Sequence, residues 1–409
     1  MLRWILFDLN SFFASCEQQQ DPSLRGKPVA VVPTLADSTS VIAASYEAKQ
    51  KGIKTGTKVG DAKKMCPGLI LKTGNHRLYT EFHYKIVKAV EDVLPIKHIL
   101  SIDEVACELI GKEREVETAK KLAQQMKDYV RQQVGSEIKS SVGIGPNILI
   151  AKMASDMQKP DGLVWVRIPE IAEKLGPLPI DAIPGVGRQM KYRLNQLGYF
   201  KVADFLKVSE HQLRKHWGNI AGLRIAKELQ GVCLSYRERT QQKSISHQHV
   251  LPPQLRTTSQ AFQVLLKLLI KALARMRTEK QKATQVSIYV KFMGQERFEK
   301  SISFTESDDN AFYIQQVKKL WPATYDYRFH QGQPFKVAVV LSGLTDERTQ
   351  QLSFFDDPKK TQINQVLDLI NDKFGNNTLY VASIHDVMDS GKTRISFNHI
   401  PKLTDEFEN

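Results

Sequence analysis

An acidic residue closes the first apolar run of the chain, Asp8 in Phe7-Asp8-Leu9-Asn10, and an acidic pair stands far downstream in Ser101-Ile102-Asp103-Glu104-Val105-Ala106. If the three carboxylates serve one site, the fold must bring the end of an N-terminal strand beside the start of a distant one. Neighbours in a regular strand face opposite ways, so the backbone must also turn or bulge at Asp103-Glu104. Taken alone, the pair better fits a solvated turn after a strand, and Asp8 a strand-end residue that helps to cap the following helix. Gathered together, they fit a metal site that handles phosphates. Mg²⁺ takes hard carboxylate oxygens together with substrate phosphates. Two such ions can clamp the attacking and leaving oxygens of an in-line phosphoryl displacement.

The pattern of apolar residues supplies a frame for that convergence. Residues 3–9 read as a buried strand, and 11–20 as a helix capped by Asn10 or Ser11. A helix over 77–95 stops at Pro95. Strands follow at about 97–102 and 105–110, then a charged helix at 113–134. A strand over 139–144 runs through Gly145-Pro146 into a helix ending near Met157. Strand, helix, strand, strand, helix, strand is the ferredoxin-like order. Residues 20–75, with a strand at 28–32 and short helices at 45–51 and 60–65, are an insertion into it.

Residues 166–240 read as helical. Residues 243–344 restart an α/β pattern, with helices at 258–279 and 309–320 among strands near 244–250, 284–292, 297–304 and 334–342. A last helix over 361–374 precedes a tail. The 409 residues are too many for one core.

Charge narrows the partner. The net charge is +14 and Cys residues number only 4. Such an excess favours a polyanion, nucleic acid before membrane. Residues 243–344 alone carry 15 Lys/Arg against 7 Asp/Glu, which suits sequence-independent contact with a phosphate backbone. Cys16, Cys66, Cys107 and Cys233 form no CxxC, so neither a zinc knuckle nor a disulfide framework is indicated. The short apolar run before Asp8 leads us to expect no signal peptide, and Lys267 and Lys271 interrupt the longest apolar helix. A soluble protein of the reducing cytoplasm, with no membrane partner, is expected.

Other groups fit a nucleotide and DNA. Backbone N–H groups near Asn10–Phe12, at a helix start beside Asp8, favour phosphate. Phe12 and Phe13 fit either core aromatics or a wall beside a sugar. Tyr46 and Lys49 share one helix face, and with Lys159 they offer the donors and cations a triphosphate needs. Pro184-Gly185-Val186-Gly187-Arg188 fits a hairpin between helices whose N–H groups hold a DNA phosphate. Gln351-Leu352-Ser353-Phe354-Phe355 fits either a peptide docking into a partner's apolar pocket or a segment folded back on its own domain.

Six strings in this order, FDLNSFFASCE, ASYEAKQKGIKTG, SIDE, SVGIGPN with AKMASDMQKPDG, IPGVG and KSISH, closely resemble the Y-family DNA polymerases, the lesion-bypass type that includes bacterial DNA polymerases IV and V. The resemblance covers about residues 3–345. It implies an α+β multidomain fold: a ferredoxin-like palm (1–19 and 76–165), small inserted fingers (20–75), a helical thumb with a helix-hairpin-helix (166–234), a linker (235–242), an α/β little finger (243–344) and a C-terminal tail (345–409).

The resemblance further implies low-fidelity templated DNA synthesis without proofreading, with two Mg²⁺ ions held by Asp8, Asp103, Glu104 and the Leu9 carbonyl. Phe13 matches the steric gate against ribose. Tyr46, Lys49 and Lys159, beside Phe12, match the triphosphate contacts. Val41, Ile42 and Ala44 match the roof over the nascent base pair. Gly185, Val186, Gly187, Arg188, Lys243, Ser244 and Ser246 match DNA contacts. Gln351, Leu352, Phe354 and Phe355 match a sliding-clamp peptide. Partners implied are primer-template DNA, dNTPs, the clamp and accessory mutagenesis subunits. Several positions depart from the usual pattern: Lys49 stands where Arg is common, Val105-Ala106-Cys107-Glu108 follows the acidic pair, and Lys58 occupies an often apolar position. A rival implication is a polymerase-like scaffold that binds DNA and clamp without catalysis. A nucleotide cyclase on a similar palm would not need the hairpin, the basic domain or the clamp peptide.

Overall fold

The computed structural model describes residues 1–217, 220–234, 243–294, 296–321, 326, 328–329, 332–346, 358–375, 377–390 and 400. They fall into two compact units, Met1–Tyr236 together with Ile400, and Arg237–Thr393.

The first unit is built on strand β1 (Trp4–Leu9), wholly buried. Helix α1 (Phe12–Gln20) follows directly. A small sheet comes next, from β2 (Val29–Val32), β3 (Ala43–Ala44), helices α2 (Tyr46–Gln50) and α3 (Val59–Met65), and β4 (Ile70–Thr73). Its order is β3-β2-β4, with β4 parallel to β2. Helix α4 (His76–Glu91), β5 (Ile96–Ile99), β6 (Glu104–Glu108), α5 (Val116–Gln133), β7 (Ser140–Gly145), α6 (Ile148–Met157) and β8 (Leu163–Trp165) complete the main layer. Its strand order is β5-β6-β1-β7-β8. The first four strands run in the expected ferredoxin-like order, and β8 adds an edge parallel to β7.

Strand alternation sorts side chains between the two faces of this sheet. Ile5, Phe7 and Leu9 of β1, with Val105 and Cys107 of β6, join the core shared with α4 and α5. Trp4, Leu6 and Ala106 turn the other way, against Ala151 of α6. Gly143 of β7 lets α6 lie almost on the sheet: a Cβ there would stand 1.9 Å from the Ala151 carbonyl oxygen. Asn147 caps α6, accepting from Ile150 N–H at 2.9 Å. Its amide donates to the Glu228 and Val232 carbonyls, at 2.6 and 3.0 Å, so the later helices are tied to the sheet at that point.

Those later helices are α7 (Ile171–Leu175), α8 (Arg188–Gln196), α9 (Val202–Leu206), α10 (Glu210–Trp217) and α11 (Ile220–Leu229). They share a core of Ile183, Leu194, Phe205, Trp217 and Leu229 with Ile150 and Met153 of α6.

The second unit holds β9 (Ser244–Val250), α12 (Thr258–Thr278), β10 (Gln281–Phe292), β11 (Phe298–Ser307), α13 (Asn310–Leu320), β12 (Pro334–Asp346) and α14 (Pro358–Phe374). The strands form an antiparallel sheet in the order β11-β10-β12-β9, under α12 and α13. The segment beyond 345, read from sequence as a tail, contributes to this core. Ile384 and Val387 are buried against α12, and Arg277 of α12 forks onto Asp368 of α14 at 2.6 and 2.9 Å. Helix α14 also begins earlier than its apolar spacing indicates, at Pro358, a residue suited to a first helical turn. Among the described residues no helix is long and apolar enough to cross a membrane.

Candidate active site

The register of β1 against β6 pairs Asp8 with Glu104. Both are even-numbered, so both face α6 rather than the apolar core. Asp103 lies in a bend just before β6, held where Leu9 N–H donates to its carbonyl at 2.9 Å. That bend answers the objection from strand alternation: the pair straddles the start of the strand, not its interior.

Lys152 and Lys159 supply the countercharge. From α6, Lys152 Nζ donates to Asp8 Oδ2 and pairs with Glu104 Oε1 at 2.7 Å and Asp156 Oδ1 at 3.3 Å. Lys159 Nζ donates to Asp8 Oδ1 at 2.8 Å and pairs with Asp156 Oδ1 at 2.7 Å. Burial pulls the Asp8 carboxyl upward, but the two lysines outweigh it and hold Asp8 below the usual carboxylate range. Burial leaves Asp103 above that range despite a 2.6 Å hydrogen bond from Ser101 Oγ. Burial also raises Glu104, with the charges of Asp8 and Asp103 adding to it and Lys152 opposing. Lys152 is raised in turn: Asp8, Glu104 and Asp156 overcome its desolvation.

Among the described residues no three His, Cys, Asp or Glu side chains are grouped as a set of metal ligands. Lys152 stands between Asp8 and Glu104 instead. Its ammonium is a stand-in cation, and the oxygens that receive it are hard carboxylate donors of the kind Mg²⁺ prefers. The donor set therefore fits that ion.

Of the expected nucleotide contacts, Tyr46 and Lys49 lie within electrostatic reach of Asp8 and Lys159. Burial lowers the Lys49 ammonium, and the charge of Lys159 adds to the effect. Burial raises the Tyr46 hydroxyl, against Lys159. Lys49 Nζ lies 4.5 Å over the Tyr46 ring. Ser11 enters α1 in the left-handed region, at φ 51°, and makes no side-chain cap. Phe12 is buried, and Phe13 stacks on Tyr79 with centroids 4.3 Å apart. Val41 and Ala44 belong to the core of the small sheet, and Ile42 packs partly buried against the main core.

Asn10, read from sequence as a helix cap, is instead a tie. It is 1% exposed; its Nδ2 donates to Ser141 Oγ at 3.1 Å, and its Oδ1 accepts from Asp161 N–H at 2.7 Å. Lys127 of α5, also buried, donates to the carbonyls of Asp161 and Gly162 and pairs with the Asp161 carboxylate at 3.1 Å. These contacts fasten the loop that carries Lys159. Sequence reasoning missed Lys152, Asp156, Lys127 and Ser141. Only the i, i+4 spacing of Lys152 and Asp156 signalled that one helix face presents both.

The hairpin lies nearby in the same unit. Ile183 and Val186 anchor it in the helical core, Gly185 turns at φ 92°, and Gly185, Gly187 and Arg188 are exposed. A groove of about 590 Å³ is lined by Lys152, Asp156 and Met157 on one side and Ile183–Gly187 on the other. In the second unit Lys243, Ser244 and Ser246 are exposed, the serines on β9, the strand at the sheet edge. The peptide Gln351, Leu352, Phe354, Phe355 lies outside the described residues.

Residues 7–156 match the impB/mucB/samB family, and residues 242–354 match the C-terminal domain of that family. DNA polymerase IV of Pelotomaculum thermopropionicum is 31% identical over 390 residues, covering 92% of this chain and 94% of that protein. DNA polymerase IV 1 of Bacillus subtilis is 28% identical over 408 residues, covering 96% and 95%. Among solved structures, the Y-family DNA polymerase chimera Dbh-Dpo4(243-245)-Dbh is similar at a TM-score of 0.69 and 26% identity, covering 84% of this chain and 99% of that one. An insertion ternary complex of Dbh DNA polymerase is similar at a TM-score of 0.56, with 26% identity and the same coverage.

Proposed function

The chain belongs to the impB/mucB/samB family, the Y-family DNA polymerases, and from that premise we propose how its residues divide the work of translesion DNA synthesis. It is a DNA-directed DNA polymerase, extending a primer 3′ end with dNTPs on a template. The observation that carries the assignment of its site is the pairing of Asp8 with Glu104 across adjacent strands, with Asp103 at the bend beside them.

Asp8, Asp103, Glu104 and the Leu9 carbonyl would hold two Mg²⁺ ions. When bound, such a pair neutralises charge on the attacking and leaving oxygens of an in-line displacement. Tyr46, Lys49 and Lys159 bind the triphosphate, aided by N–H groups at the start of α1. Lys49 offers charge without the bidentate fork of arginine. Phe13, braced by Tyr79, faces the sugar and rejects a 2′-hydroxyl; Phe12 lies beside it. Ile42, with Val41 and Ala44, covers the nascent base pair.

The main sheet is the palm, the small β3-β2-β4 sheet the fingers, the helices beyond 166 the thumb and the β9–β12 sheet the little finger. Gly185, Val186, Gly187 and Arg188 hold the DNA backbone from the thumb; Lys243, Ser244 and Ser246 do so from the little finger. Backbone contacts of this kind carry no sequence information, as a polymerase requires. Gln351 to Phe355 bind a sliding clamp, and the work is done in the cytoplasm. A scaffold without catalysis would need neither the three acids nor the cations opposite them. Primer extension by Asp103→Ala/Glu104→Ala tests the site: a loss of at least about a hundredfold is expected, and synthesis at the parent's rate would refute it.

A further inference from the structure

Lys152 has no role in the reading above, yet it makes more contacts to the acidic cluster than any other described side chain. Its ammonium reaches Asp8, Glu104 and Asp156. The Asp8 side chain is only 5% exposed, so its ionised form depends on a cation close by. Lys152 takes one oxygen from Asp8 and one from Glu104, oxygens that an ion in the same place would need. Lys152 and Asp156 are one helical turn apart on α6, and the lysine stem is flexible. Asp156, 43% exposed, already receives both lysines.

We infer that Lys152 is an intramolecular competitor for the cation site, and that Asp156 is the acceptor that draws it away. The inference rests on the assignment of Asp8 and Glu104 as metal ligands. An entering ion displaces the ammonium from Asp8 and Glu104, and Lys152 retains a partner in Asp156. Lys159 competes for the same Asp156 oxygen. A triphosphate that engages Lys159 frees Asp156 for Lys152, so nucleotide binding favours entry of the ion. Lys152 thus lowers the metal affinity of the free protein and links it to the presence of nucleotide.

The two residues predict opposite signs. Mn²⁺ binding to the full-length protein, without DNA or nucleotide, is followed by the electron paramagnetic resonance of free Mn²⁺. Lys152→Met is expected to tighten binding about tenfold, the order of one partly buried ion pair. Asp156→Asn is expected to weaken it about threefold, since Lys152 then has only Asp8 and Glu104 to hold. Added dNTP, once the Mn²⁺ bound by dNTP alone is subtracted, is expected to strengthen Mn²⁺ binding in the parent and to do so less in Lys152→Met. Asp8→Asn/Glu104→Gln is the reference for the site itself. If that double variant binds Mn²⁺ as the parent does, the metal-site assignment fails and the inference with it. If it abolishes binding but Lys152→Met does not tighten it, the assignment stands and the inference is overturned. Asp156 is on the surface, so Asp156→Asn decides the matter should Lys152→Met not fold: equal or tighter binding by Asp156→Asn overturns the inference.

Discussion

Replacing Gly143 by Ala should disable synthesis without touching any group that meets substrate. Gly143 faces α6 from β7, between Leu6 of β1 and Val164 of β8. An added Cβ would lie 1.9 Å from the Ala151 carbonyl oxygen and 2.4 Å from Ser155 N, whereas ordinary contact begins at 3.4 Å. The obstacle is backbone on both sides, so no side chain can rotate out of the way. Helix α6 must therefore withdraw by about 1.5 Å (3.4 − 1.9). It carries Lys152 and Asp156 and leads into the loop of Lys159. A displacement of about 1 Å at a reacting site costs roughly a hundredfold in rate, and overpacking of this kind costs about 3 kcal/mol. Single-nucleotide insertion kinetics should show kcat/KM lower by about a hundredfold or more, and thermal melting should fall by about 6–12 °C. Gly68→Ala, with no atom within 4 Å of the added carbon, serves as the control. Parent-like kcat and melting temperature for Gly143→Ala would refute the claim that close contact between α6 and the sheet holds the site together.

Lys127→Met should leave two carbonyls and the Asp161 carboxylate short of a buried partner, costing roughly 3 kcal/mol of stability. Because that loop presents Lys159, KM for dNTP should rise more than kcat falls; an unchanged KM would remove the loop from nucleotide binding. Glu17 offers a pH test: burial raises its carboxyl, against the 2.7 Å hydrogen bond from the Tyr79 hydroxyl. Its ionised form therefore disfavours the fold, and stability is lost as pH rises through the raised value. Glu17→Gln keeps an acceptor for Tyr79, so it should melt above the parent at pH 8 and match it in acid; a difference independent of pH would contradict the assignment. Replacing Gln351, Phe354 and Phe355 together by Ala should shorten products on clamp-loaded DNA and spare distributive synthesis on bare primer-template, with equal product lengths on both counting against the clamp peptide.

Much of this was legible in the residues themselves. The apolar run of β1, the pair of strands flanking the acidic residues and the long helices around them made the order of the main sheet readable, because each element carries its own periodicity. Asp8, Asp103 and Glu104 stood out because charge at the end of a buried strand is costly. The β3-β2-β4 sheet was only partly visible: β3 is two residues long, too short to show alternation. The helix over 361–374 was legible as a helix, but it and the turns at 382–387 were assigned to a tail outside the second domain, because α14 keeps an apolar face exposed, with Ile363, Val366, Leu369 and Phe374 at the surface, and docks through polar groups such as Asp368 and Asn364. A pattern of apolar spacing cannot show which polar residue faces the core.

Lys152 was illegible for a deeper reason. Nothing in its neighbourhood along the chain distinguishes it from a solvated lysine; its meaning comes from pairing register. Trp4 opposes Glu108, and so on along the strand until Asp8 opposes Glu104, which puts both acids on the face that α6 covers. A slip of one residue in that pairing would turn one acid toward the apolar core of α4 and α5, and Lys152 would face a single carboxylate. The register is fixed by Ile5, Phe7 and Leu9 against Val105 and Cys107, apolar side chains that must point the other way. The charge geometry of the site is thus set by residues with no charge at all, and a substitution such as Phe7→Asp would disturb it through the sheet rather than through the metal ligands.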